Sequence, residues 1–325
     1  MIVTLTPNPG IDRTVTVPRL QYGVVNRATS TRIEPGGKGV NVSRALAANG
    51  SPTVAVLPVG GPEGALLTQL LGEAAVPHQA VGVLGGLRVN LAVVEPDGTT
   101  TKVNEPGPDL RREEVERLLS VTVNRARTGD WVVGCGSLPP SAPPDLYAQL
   151  VERARARGAQ VAIDTSGPAL VAALKAEPDL IKPNHEELSE LVEAPLPTLR
   201  HVVEAAQQVV AQGIATVLVS LGADGAVLVT ADLWVHAVAA VRTPQSSVGA
   251  GDCLLAGYLD AVSSKREPVE ALELGVAWGA AAVALPGSDV PGPSEVARVQ
   301  VQINRVPDPA RRVDGARAPK PSHSW

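Results

Sequence analysis

Short hydrophobic runs alternate with segments of helical periodicity over most of the chain. The runs are rich in Val, Ile and Leu, and several are apolar at nearly every position, as in parallel strands that are buried on both faces. From this pattern we predict strands at residues 2–6, 53–59, 131–133, 161–164, 180–182, 216–221 and 226–230.

The segments between these runs carry apolar residues three and four positions apart, which is the spacing of one helix face. One such segment contains Leu118, and another contains Leu150 and stops at Gly158. Glycine is favoured after a helix because it adopts the left-handed conformation easily. The alternation predicts an α/β fold, a doubly wound and mostly parallel sheet with helices on both faces.

Two stretches, residues 11–34 and 87–105, instead alternate apolar and polar residues with period two. The second stretch contains a Pro-Asp-Gly turn at residues 96–98, a hairpin signal in which glycine supplies positive φ. We therefore predict a small antiparallel β-sheet inserted into the α/β fold. One face of such a sheet needs cover, so it would serve as a lid over a ligand site or as a dimer interface.

The composition narrows the class of protein. The 325 residues are 44% hydrophobic, which is enough for one large domain or two ordinary ones. Only 2% are aromatic and none is Phe, which disfavours a protein that stacks nucleic-acid bases on rings. The formal charge of −5 argues against an electrostatic surface for DNA or for membranes. We expect small-molecule partners, and neither nucleic acid nor membrane.

The cysteine content and the start of the chain bear on its cellular setting. Cys135 and Cys253 are far apart and form no CxxC pair, which favours a reducing compartment. No basic stretch precedes the first apolar run, and the apolar run at residues 274–285 is too short to cross a bilayer. A cytoplasmic protein is the expectation.

The C-terminal segment, residues 303–325, differs in composition from the rest of the chain. It is rich in Pro, Arg, Ser and Asp, and such a segment has little apolar surface to bury. We predict one domain at residues 1–302 and a disordered tail after it. A tail that binds a partner is the alternative interpretation.

The motif VGAGD at residues 248–252 precedes an apolar helix pattern. Small residues at a helix N-terminus leave backbone N–H groups open to a ligand, and the helix dipole adds positive potential there. An anion would bind at this point, and Asp252 would be placed to take a proton from a hydroxyl that attacks a phosphate. An aspartate that only caps the helix after a glycine-rich turn explains the motif equally well.

A second motif, EPGGKGVNVSR, lies at residues 34–44. It is not a Walker A loop, which needs Ser or Thr directly after the lysine and a longer spacer before it. The glycines at 134 and 136 do not complete a dinucleotide fingerprint either, because Pro139 interrupts it. A glycine pair that opens a helix permits close approach of a polar ligand such as a sugar. A plain tight turn is the simpler interpretation of the motif.

The motif KPNHEEL at residues 182–188 follows a predicted strand. Asn184 and Glu187 stand three positions apart on one helix face, which is the spacing of a capping box. The same arrangement suits a hydrated Mg²⁺, which takes one or two protein oxygens and keeps several waters.

The motif SLGADG at residues 220–225 is a glycine-rich turn between two strands, and it would admit phosphates or simply reverse the chain. Each of the four motifs thus has a structural explanation. All four, however, are expected at strand ends of an α/β sheet, where such folds bind ligands. We therefore predict a ligand site at that edge.

The order of these motifs resembles that of the ribokinase-type (PfkB) sugar kinases over nearly the whole chain before the predicted tail. The resemblance implies a ribokinase-like fold with a β-sheet lid, and a homodimer formed through that lid. It rests on TPNP (6–9) with Asp12, EPGGKGVNVSR (34–44), NEPGP (104–108), GSLPP (136–140), DTSG (164–167), KPNHEEL (182–188), SLGADG (220–225) and VGAGD (248–252).

The resemblance also implies roles for individual residues. The catalytic base is expected to be Asp252, and the anion hole for the transferred phosphoryl group is expected at Gly249, Ala250 and Gly251. The residues expected around the sugar and its phosphate are Asp12, Arg27, Gly36, Gly37, Lys38, Asn41, Arg88 and Ser137. The residues expected around Mg·ATP are Asn184, Glu187, Ser220, Gly222 and Gly225, with Glu187 bound to Mg²⁺ through water.

The implied reaction is phosphoryl transfer from ATP, with Mg²⁺, to the C6 hydroxyl of fructose 1-phosphate. The nearest alternatives are kinases of tagatose 6-phosphate or fructose 6-phosphate in the same family, since the same arginines would hold a phosphate from the other end. The alternative of another class is a catalytically silent protein that binds a sugar phosphate or a nucleotide.

The chain departs from the family pattern near the expected base. Cys253 stands where the family usually has Ser, and a helix N-terminus would lower the pKa of its thiol and make it oxidisable. A swap of small residues is the simpler interpretation. Leu254 and Leu255 replace a common Phe, so aliphatic side chains should pack this helix. His185 and His236 are expected to be structural, because the implied mechanism needs no imidazole.

Overall fold

The computed structural model describes residues 1–305 and 308–313. The strands are β1 (Ile2–Leu5), β2 (Gly10–Thr16), β3 (Ser30–Gly36), β4 (Thr53–Val59), β5 (His78–Gly82), β6 (Arg88–Val94), β7 (Thr100–Asn104), β8 (Trp131–Cys135), β9 (Gln160–Asp164), β10 (Leu180–Ile181), β11 (Thr216–Ser220), β12 (Ala226–Val229), β13 (Trp234–Ala239) and β14 (Val301–Asn304). The helices are α1 (Lys38–Ala48), α2 (Gly61–Glu73), α3 (Arg112–Arg125), α4 (Leu146–Arg155), α5 (Gly167–Leu174), α6 (His185–Leu191), α7 (Leu199–Val210), α8 (Ala250–Ser263), α9 (Pro268–Val283) and α10 (Pro293–Val296).

The main sheet has ten strands in the order β14-β13-β12-β11-β10-β9-β8-β1-β4-β5. The strands from β11 to β5 are parallel, and β12, β13 and β14 extend that sheet with antiparallel pairs. All seven predicted strands are present, and the predicted doubly wound α/β fold is confirmed. The chain leaves β1 in one direction toward β4 and later returns on the other side through β8. Ligands bind outside the strand ends at such a switch point.

Helices cover both faces of the main sheet, which explains why its strands are apolar at consecutive positions. In β11, Val217 and Val219 pack into the cluster formed with α3 to α7, while Leu218 packs into the cluster formed with α1, α8 and α9. Helices α8 and α9 approach closely at Gly275, where an added Cβ would lie 2.8 Å from the carbonyl oxygen of Leu254. This close packing fixes the direction of α8.

The small sheet, which we call the lid, has four strands in the order β3-β2-β6-β7. The prediction of a fully antiparallel sheet is wrong in one respect, because the central pair, β2 and β6, is parallel. The pairs β2/β3 and β6/β7 are antiparallel hairpins that lie side by side. Register partners across all four strands give one polar row on the face that covers the main domain: Glu34, Asp12, Asn90 and Asn104.

The predicted boundary between domain and tail is wrong, because residue 303 lies inside β14, which pairs with β13. Beyond that strand the chain also contacts the domain. The N–H of Leu199 donates to the carbonyl of Arg311 (2.9 Å), and Val313 is buried in the core. The prediction of disorder for residues 306–307 and 314–325 lies outside the described residues. Within residues 1–305 and 308–313, no helix has the length and apolar character that crossing a membrane requires.

Candidate active site

The predicted site residues come from the carboxyl ends of parallel strands and from the N-termini of two helices. Asp164 ends β9, Lys182 follows β10, and Ser220 ends β11. Helix α1 begins at Lys38 and helix α8 begins at Ala250. Since parallel strands end at the same edge of the sheet, residues far apart in sequence meet there.

Asp252 is the third residue of α8, which follows the turn at residues 248–249. Gly249 is the N-cap residue and has a φ of 76°, a left-handed conformation that glycine adopts without strain. The N–H of Cys253 donates to the carbonyl of Gly249 (2.9 Å), and the N–H of Ala250 makes a long contact with the carbonyl of Ser247 (3.4 Å). The N–H groups of Gly251 and Asp252 lie in the first turn, where a helix offers no acceptor of its own. Asp252 is only 7% exposed, and its Oδ2 accepts a hydrogen bond from Nδ2 of Asn41 (2.8 Å).

The environment of Asp252 favours its protonated form. Burial is the main cause, and the neighbouring Asp164 carboxylate adds to it, so that the pKa of Asp252 rises to about 7. Lys38, the hydrogen bond from Asn41, and Lys182 oppose this rise. A carboxyl with a pKa near neutrality is suited to accept a proton during catalysis.

Two lysines and two carboxylates form a compact charged cluster beside Asp252. Nζ of Lys38 lies 2.7 Å from Oδ1 of Asp164 and 3.2 Å from Oε1 of Glu187. Nζ of Lys182 lies 3.1 Å from Oδ2 of Asp164, and an added Cβ on Gly251 would lie 3.4 Å from the same Nζ. The ammonium of Lys182 therefore adjoins the glycine turn that precedes Asp252.

The charges in this cluster stabilise one another. Burial opposes ionisation of Asp164, but Lys182 and Lys38 outweigh it, so the pKa of Asp164 is lowered. Burial also opposes the charge on Lys38, but Asp164 and Glu187 raise its pKa well above the usual range. The cluster thus holds two ammonium groups and two carboxylates at the mouth of the sheet.

The predicted nucleotide residues lie next to this cluster. Asn184 and Glu187 form the predicted capping box, in which Asn184 Oδ1 accepts from Glu187 N (2.8 Å) and Glu187 Oε2 accepts from Asn184 N (2.8 Å). Asn184 also forms a parallel bridge with Ser220, which brings the two motifs together. In the turn that follows, an added Cβ on Gly225 would overlap the carbonyl oxygen of Ala237, so only glycine fits.

The predicted sugar residues meet beneath the lid. Oδ1 of Asp12 accepts a hydrogen bond from Nδ2 of Asn90 (2.8 Å), and an added Cβ on Gly36 would lie 2.5 Å from Oδ1 of Asp12. A cavity of about 200 Å³ opens here. Its walls include Asp12, Asn90, Lys102 and Asn104 from the lid, with Val248, Gly287 and Ser288 from the main domain. Val248 precedes Gly249 directly, so the cavity adjoins the turn before Asp252.

Arg88 and Ser137 lie at the same end of the lid. Arg88 stacks against Gly10, where an added Cβ would lie 2.8 Å from its Cγ. Its buried Nε has no hydrogen-bond partner among residues 1–305 and 308–313, although Nη1 approaches the carbonyl of Glu105 (3.4 Å). Nδ2 of Asn8 lies 3.4 Å from Oγ of Ser137. An unpaired buried guanidinium N–H is a suitable donor for a phosphate.

Arg27 is the one predicted substrate residue that the single chain leaves outside this group. It lies in the exposed connection between β2 and β3, beyond the last pair of that hairpin, Thr16 with Ser30. Asp12 lies four residues before Thr16 on the same strand, which is roughly 13 Å at the usual rise per residue.

Sequence reasoning did not single out three residues that the structure places in the site. Asp164 and Lys182 were noted within motifs but were given no role, and Asn90 was not noted. The signal for Lys182 is a lysine at the end of an otherwise apolar buried strand, where a charge needs a partner. Asn90 is the register partner of Asp12, and only the strand pairing reveals this.

Five other residues that the sequence singled out are buried in the structure. The thiol of Cys253 is buried, and burial followed by the charge of Asp252 raises its pKa, so the hypothesis of an oxidisable low-pKa thiol is wrong. Leu254 and Leu255 are buried and pack α8, as predicted, in a cluster that also contains Trp131, Tyr258 and Trp278. His185 and His236 are also buried, and each contacts a backbone carbonyl through Nε2, consistent with a structural role.

The oxygen donors here suit a hydrated Mg²⁺ better than a protein-caged one. No group of three or more His, Cys, Asp or Glu side chains suited to a metal occurs in the part of the chain that the structure describes. Glu187 and Asp164 share the ammonium of Lys38 and so lie close to one another. A Mg²⁺ ion that keeps its waters and binds phosphate oxygens needs only one or two such carboxylates.

The fold and this site define a class of α/β kinase that acts on small hydroxylated substrates. A family model of the pfkB family carbohydrate kinases matches residues 6–295, and the chain belongs to that family. The prediction of a PfkB sugar kinase, a phosphotransferase that acts on a sugar hydroxyl, is confirmed.

Two relatives and one solved structure are similar to this chain over most of its length. The chain is 36% identical over 298 residues to the 1-phosphofructokinase of Rhodobacter capsulatus, which covers 91% of this chain and 94% of that protein. It is 34% identical over 307 residues to the ATP-dependent 6-phosphofructokinase isozyme 2 of Escherichia coli, covering 94% and 99%. The crystal structure of phosphofructokinase-2 from Escherichia coli in complex with fructose-6-phosphate matches with a TM-score of 0.86 at 33% identity, over 91% of this chain and 97% of that one.

Proposed function

We propose that this kinase transfers a phosphoryl group from ATP to the C6 hydroxyl of fructose 1-phosphate, giving fructose 1,6-bisphosphate and ADP. The observation that carries the chemistry is the carboxyl of Asp252. It is buried at the start of α8, has a pKa raised to about 7, and lies four residues after Val248, which lines the cavity beneath the lid. The resemblance to 1-phosphofructokinases supports the choice of sugar.

The proposed mechanism begins with orientation of the acceptor hydroxyl. Asp12 and Asn41, with the close backbone approach at Gly36 and Gly37, hold the sugar hydroxyls so that the C6 oxygen faces Asp252. Asp252 then accepts the hydroxyl proton as the oxygen attacks the phosphoryl group. A positioned base of this kind typically contributes about 10²- to 10⁴-fold.

The N-terminus of α8 stabilises the charge that develops on the transferred group. The N–H groups of Gly249, Ala250 and Gly251 precede the first satisfied turn of the helix and serve as donors to the phosphoryl oxygens. The ammonium of Lys182 lies beside this turn and adds positive charge at the same place. Lid closure excludes water as a competing acceptor.

The other end of the sugar carries the first phosphate, which we assign to Arg88 and Ser137. Arg88 offers the unpaired N–H of its guanidinium, and a guanidinium binds phosphate through two parallel hydrogen bonds. We also assign Lys38 and Arg27 to this phosphate. Arg27 reaches it only if its exposed loop moves, or if the loop packs against the site of a second copy of the chain.

The nucleotide occupies the edge formed by Asn184, Ser220, Gly222 and Gly225 in this proposal. Glu187 would hold Mg²⁺ through water, and the ion bound with ATP would neutralise charge on the phosphates. Asn184 and Glu187 orient the nucleotide, because reciprocal hydrogen bonds hold the two residues in fixed positions.

A coupled assay of ADP release tests the sugar directly. With ATP and Mg²⁺ saturating, fructose 1-phosphate should give the highest kcat/KM, at least about tenfold above fructose 6-phosphate and tagatose 6-phosphate. Equal or higher kcat/KM with a 6-phosphate would contradict the proposed substrate while keeping the kinase. Tight binding of a sugar phosphate with no turnover would instead revive the catalytically silent alternative.

Fructose 6-phosphate is the second candidate acceptor. The similarity to a 6-phosphofructokinase isozyme is nearly as extensive as that to the 1-phosphofructokinase. Both sugars are phosphorylated ketoses, so Arg88 would hold a phosphate in either case, and only the free hydroxyl that faces Asp252 differs.

We further propose a homodimer through the outer face of the lid. Side chains alternate across a strand, so the row next to Asp12 belongs to the opposite face of the sheet and consists of Ile33, Arg13, Leu91 and Val103. Ile33 is 40% exposed and Val103 is 58% exposed in the single chain, and exposed apolar side chains on one sheet face favour association, with the exposed Arg13 standing in the same row. Sedimentation of an Ile33→Asp, Val103→Asp double variant should show a monomer where the wild type shows a dimer. A wild-type monomer would contradict the proposal.

A cytoplasmic location is also proposed. Cys135 and Cys253 are unpaired and buried, which suits a reducing compartment. Cell fractionation should recover the kinase activity in the cytoplasmic fraction, and recovery outside the cytoplasm would contradict the proposal.

A further inference from the structure

Arg44 is a buried cation that none of the assigned roles uses. It lies on α1, one turn after Asn41, and is only 8% exposed. Its Nη1 lies 3.2 Å from Oδ1 of Asn41, 2.9 Å from the carbonyl oxygen of Ser288 and 3.3 Å from the Ser288 hydroxyl. A buried arginine is costly unless its hydrogen bonds are used, so these contacts need an explanation.

The contact with Arg44 determines how the Asn41 amide is oriented. An amide carries an acceptor oxygen at one side and a donor nitrogen at the other. Because Oδ1 faces the guanidinium, Nδ2 must face Asp252, to which it donates at 2.8 Å. Rotating the amide by half a turn would set Oδ1 against the carboxylate of Asp252 and the amide N–H groups against Arg44. Both contacts would then be repulsive.

Arg44 is also connected to the lid. Oε1 of Glu34, on β3, accepts hydrogen bonds from the N–H and the hydroxyl of Ser288, each at 3.1 Å. Gly287 has a φ of 61°, and an added Cβ would overlap Oε2 of Glu34. This position therefore requires glycine both for its conformation and for the close approach. Ser288 thus contacts a lid carboxylate on one side and Arg44 on the other.

The charges around Arg44 agree with this connection. Burial lowers the pKa of Arg44, and the carboxylates that oppose this are led by Glu34, followed by Asp289. Arg32, the neighbour of Glu34 on the same strand face, pairs with both Glu34 and Asp289. The lid carboxylate is therefore the principal counter-charge for a guanidinium that lies on the main domain.

We propose that Arg44 is a positioning residue: it holds the Asn41 amide toward Asp252 and, through Ser288 and Glu34, ties that orientation to the lid strand β3. The inference rests on the proposed role of Asp252 as the base. Its consequence is that displacement of the lid disturbs the hydrogen bond to Asp252, so the base is aligned only while the lid is in place.

A double-mutant cycle between Arg44 and Asn41 tests the proposal. Arg44→Met should lower kcat about 10- to 100-fold while leaving the KM for ATP within about threefold, because a misplaced base slows the chemical step. In an Asn41→Ala background, Arg44→Met should lower kcat by no more than about twofold further, since the residue that transmits the effect is gone. Multiplicative losses in the double variant would overturn the proposal, as would an unchanged kcat for Arg44→Met alone.

Arg44→Lys is a second variant, for the case in which Arg44→Met does not fold. It keeps a cation beside Glu34. A lysine ammonium is a point charge without the planar fork of a guanidinium, so kcat should fall about 3- to 10-fold. In the Asn41→Ala background, Arg44→Lys should not lower kcat further. A matched control is Arg153→Met, which removes a half-buried arginine of α4 paired with Glu116 of α3. Its kcat should equal that of the wild type.

A measurement that needs no turnover separates this inference from the proposed function. The pKa of the Asp252 carboxyl can be followed by ¹³C NMR titration, with the resonance assigned by its loss in Asp252→Asn. The hydrogen bond from Asn41 lowers that pKa, and the charged groups that face Asp252 from other elements are Asp164, Lys38 and Lys182. Arg44→Lys leaves those three in place, so it should raise the pKa by releasing the Asn41 amide. An unchanged pKa would overturn the proposal, even if no ketose phosphate were turned over and the proposed function had failed.

Discussion

The two halves of the site are built in different ways. The main-domain half, around Asp252, Asp164 and the two lysines, is buried, densely charged and held by ion pairs of 2.7 to 3.2 Å. The lid half, around Asp12, Asn90 and Arg88, is polar, partly exposed and carried on a sheet of four strands. The difference indicates a division of labour. In the proposed function, the main-domain half sets the protonation and charge of the reacting groups, and the lid half selects the sugar.

The largest expected effect comes from the main-domain half. Asp252→Asn should lower kcat at least about 10²-fold, because the proton acceptor is lost while the hydrogen bond from Asn41 can be kept. The same change should raise stability above pH 7. The folded-state pKa of Asp252 lies above its value in the unfolded chain, so the ionised carboxylate destabilises the fold at high pH and has no effect below pH 4.

Calorimetry at two pH values checks the stability half of this prediction. The variant should melt at least about 2 °C higher than the wild type at pH 8, and the difference should shrink toward pH 5. If Asp252→Asn kept wild-type turnover, Asp252 would not be the catalytic base. If the variant were less stable than the wild type at pH 8, the claim that the ionised Asp252 carboxylate destabilises the fold would be wrong.

The lid half should respond in KM and not in kcat. Arg88→Met should raise the KM for the sugar phosphate about 10- to 100-fold, since a hydrogen-bonded charge pair is lost, with kcat within about threefold. Arg19→Met, an exposed arginine on the connection between β2 and β3, is the matched control and should leave both constants unchanged. A fall in kcat with an unchanged KM for Arg88→Met would contradict the proposal that the lid half acts in sugar binding and the main-domain half in the chemical step.

A smaller and more specific effect is expected from the neighbours of Asp252. Asp164 raises the pKa of Asp252 and Lys182 lowers it. The acidic limb of the kcat/KM profile should therefore move to lower pH in Asp164→Asn and to higher pH in Lys182→Met, relative to the wild type. Shifts in the same direction for both variants would show that the electrostatic assignment is wrong.

The smallest expected effect concerns Cys253. The thiol is buried and its pKa is raised, so it should resist alkylation by iodoacetamide in the folded enzyme, with less than about a tenth modified while a small free thiol reacts fully. Mass spectrometry of the treated protein gives the measurement. Rapid modification with loss of activity would show that the start of α8 opens, and that the main-domain half is not rigid.

The sequence could predict the parts of this structure that depend on local patterns. The apolar runs located seven of the ten strands described in the main sheet, all but β5, β13 and β14. The glycine turn before Asp252 needs only adjacent residues to form. The capping box of Asn184 and Glu187 is likewise a contact across three positions, and it is present as predicted. These features follow from the backbone preferences of a few neighbouring residues.

The parts that the sequence could not predict depend on pairing between distant segments. Asn90 faces Asp12 only because β2 and β6 pair in parallel, an arrangement that a period-two pattern does not reveal. Residues 301–304 form an edge strand although they lie beside a polar segment, because β13 provides a partner for their backbone. The relation of Lys182 to Asp164 required knowing that their strands are neighbours.

The central claim is that a buried carboxyl with a pKa near neutrality is the proton acceptor. The dependence of kcat/KM on pH for the wild-type enzyme with fructose 1-phosphate, at saturating ATP and Mg²⁺, tests it most directly. The account predicts that kcat/KM is constant at high pH and falls tenfold per pH unit below about 7, where Asp252 becomes protonated. The sugar phosphate ionises near the same pH, so the limb must be absent from the residual rate of Asp252→Asn. A wild-type profile that stays flat from pH 8 to pH 5 would contradict the claim.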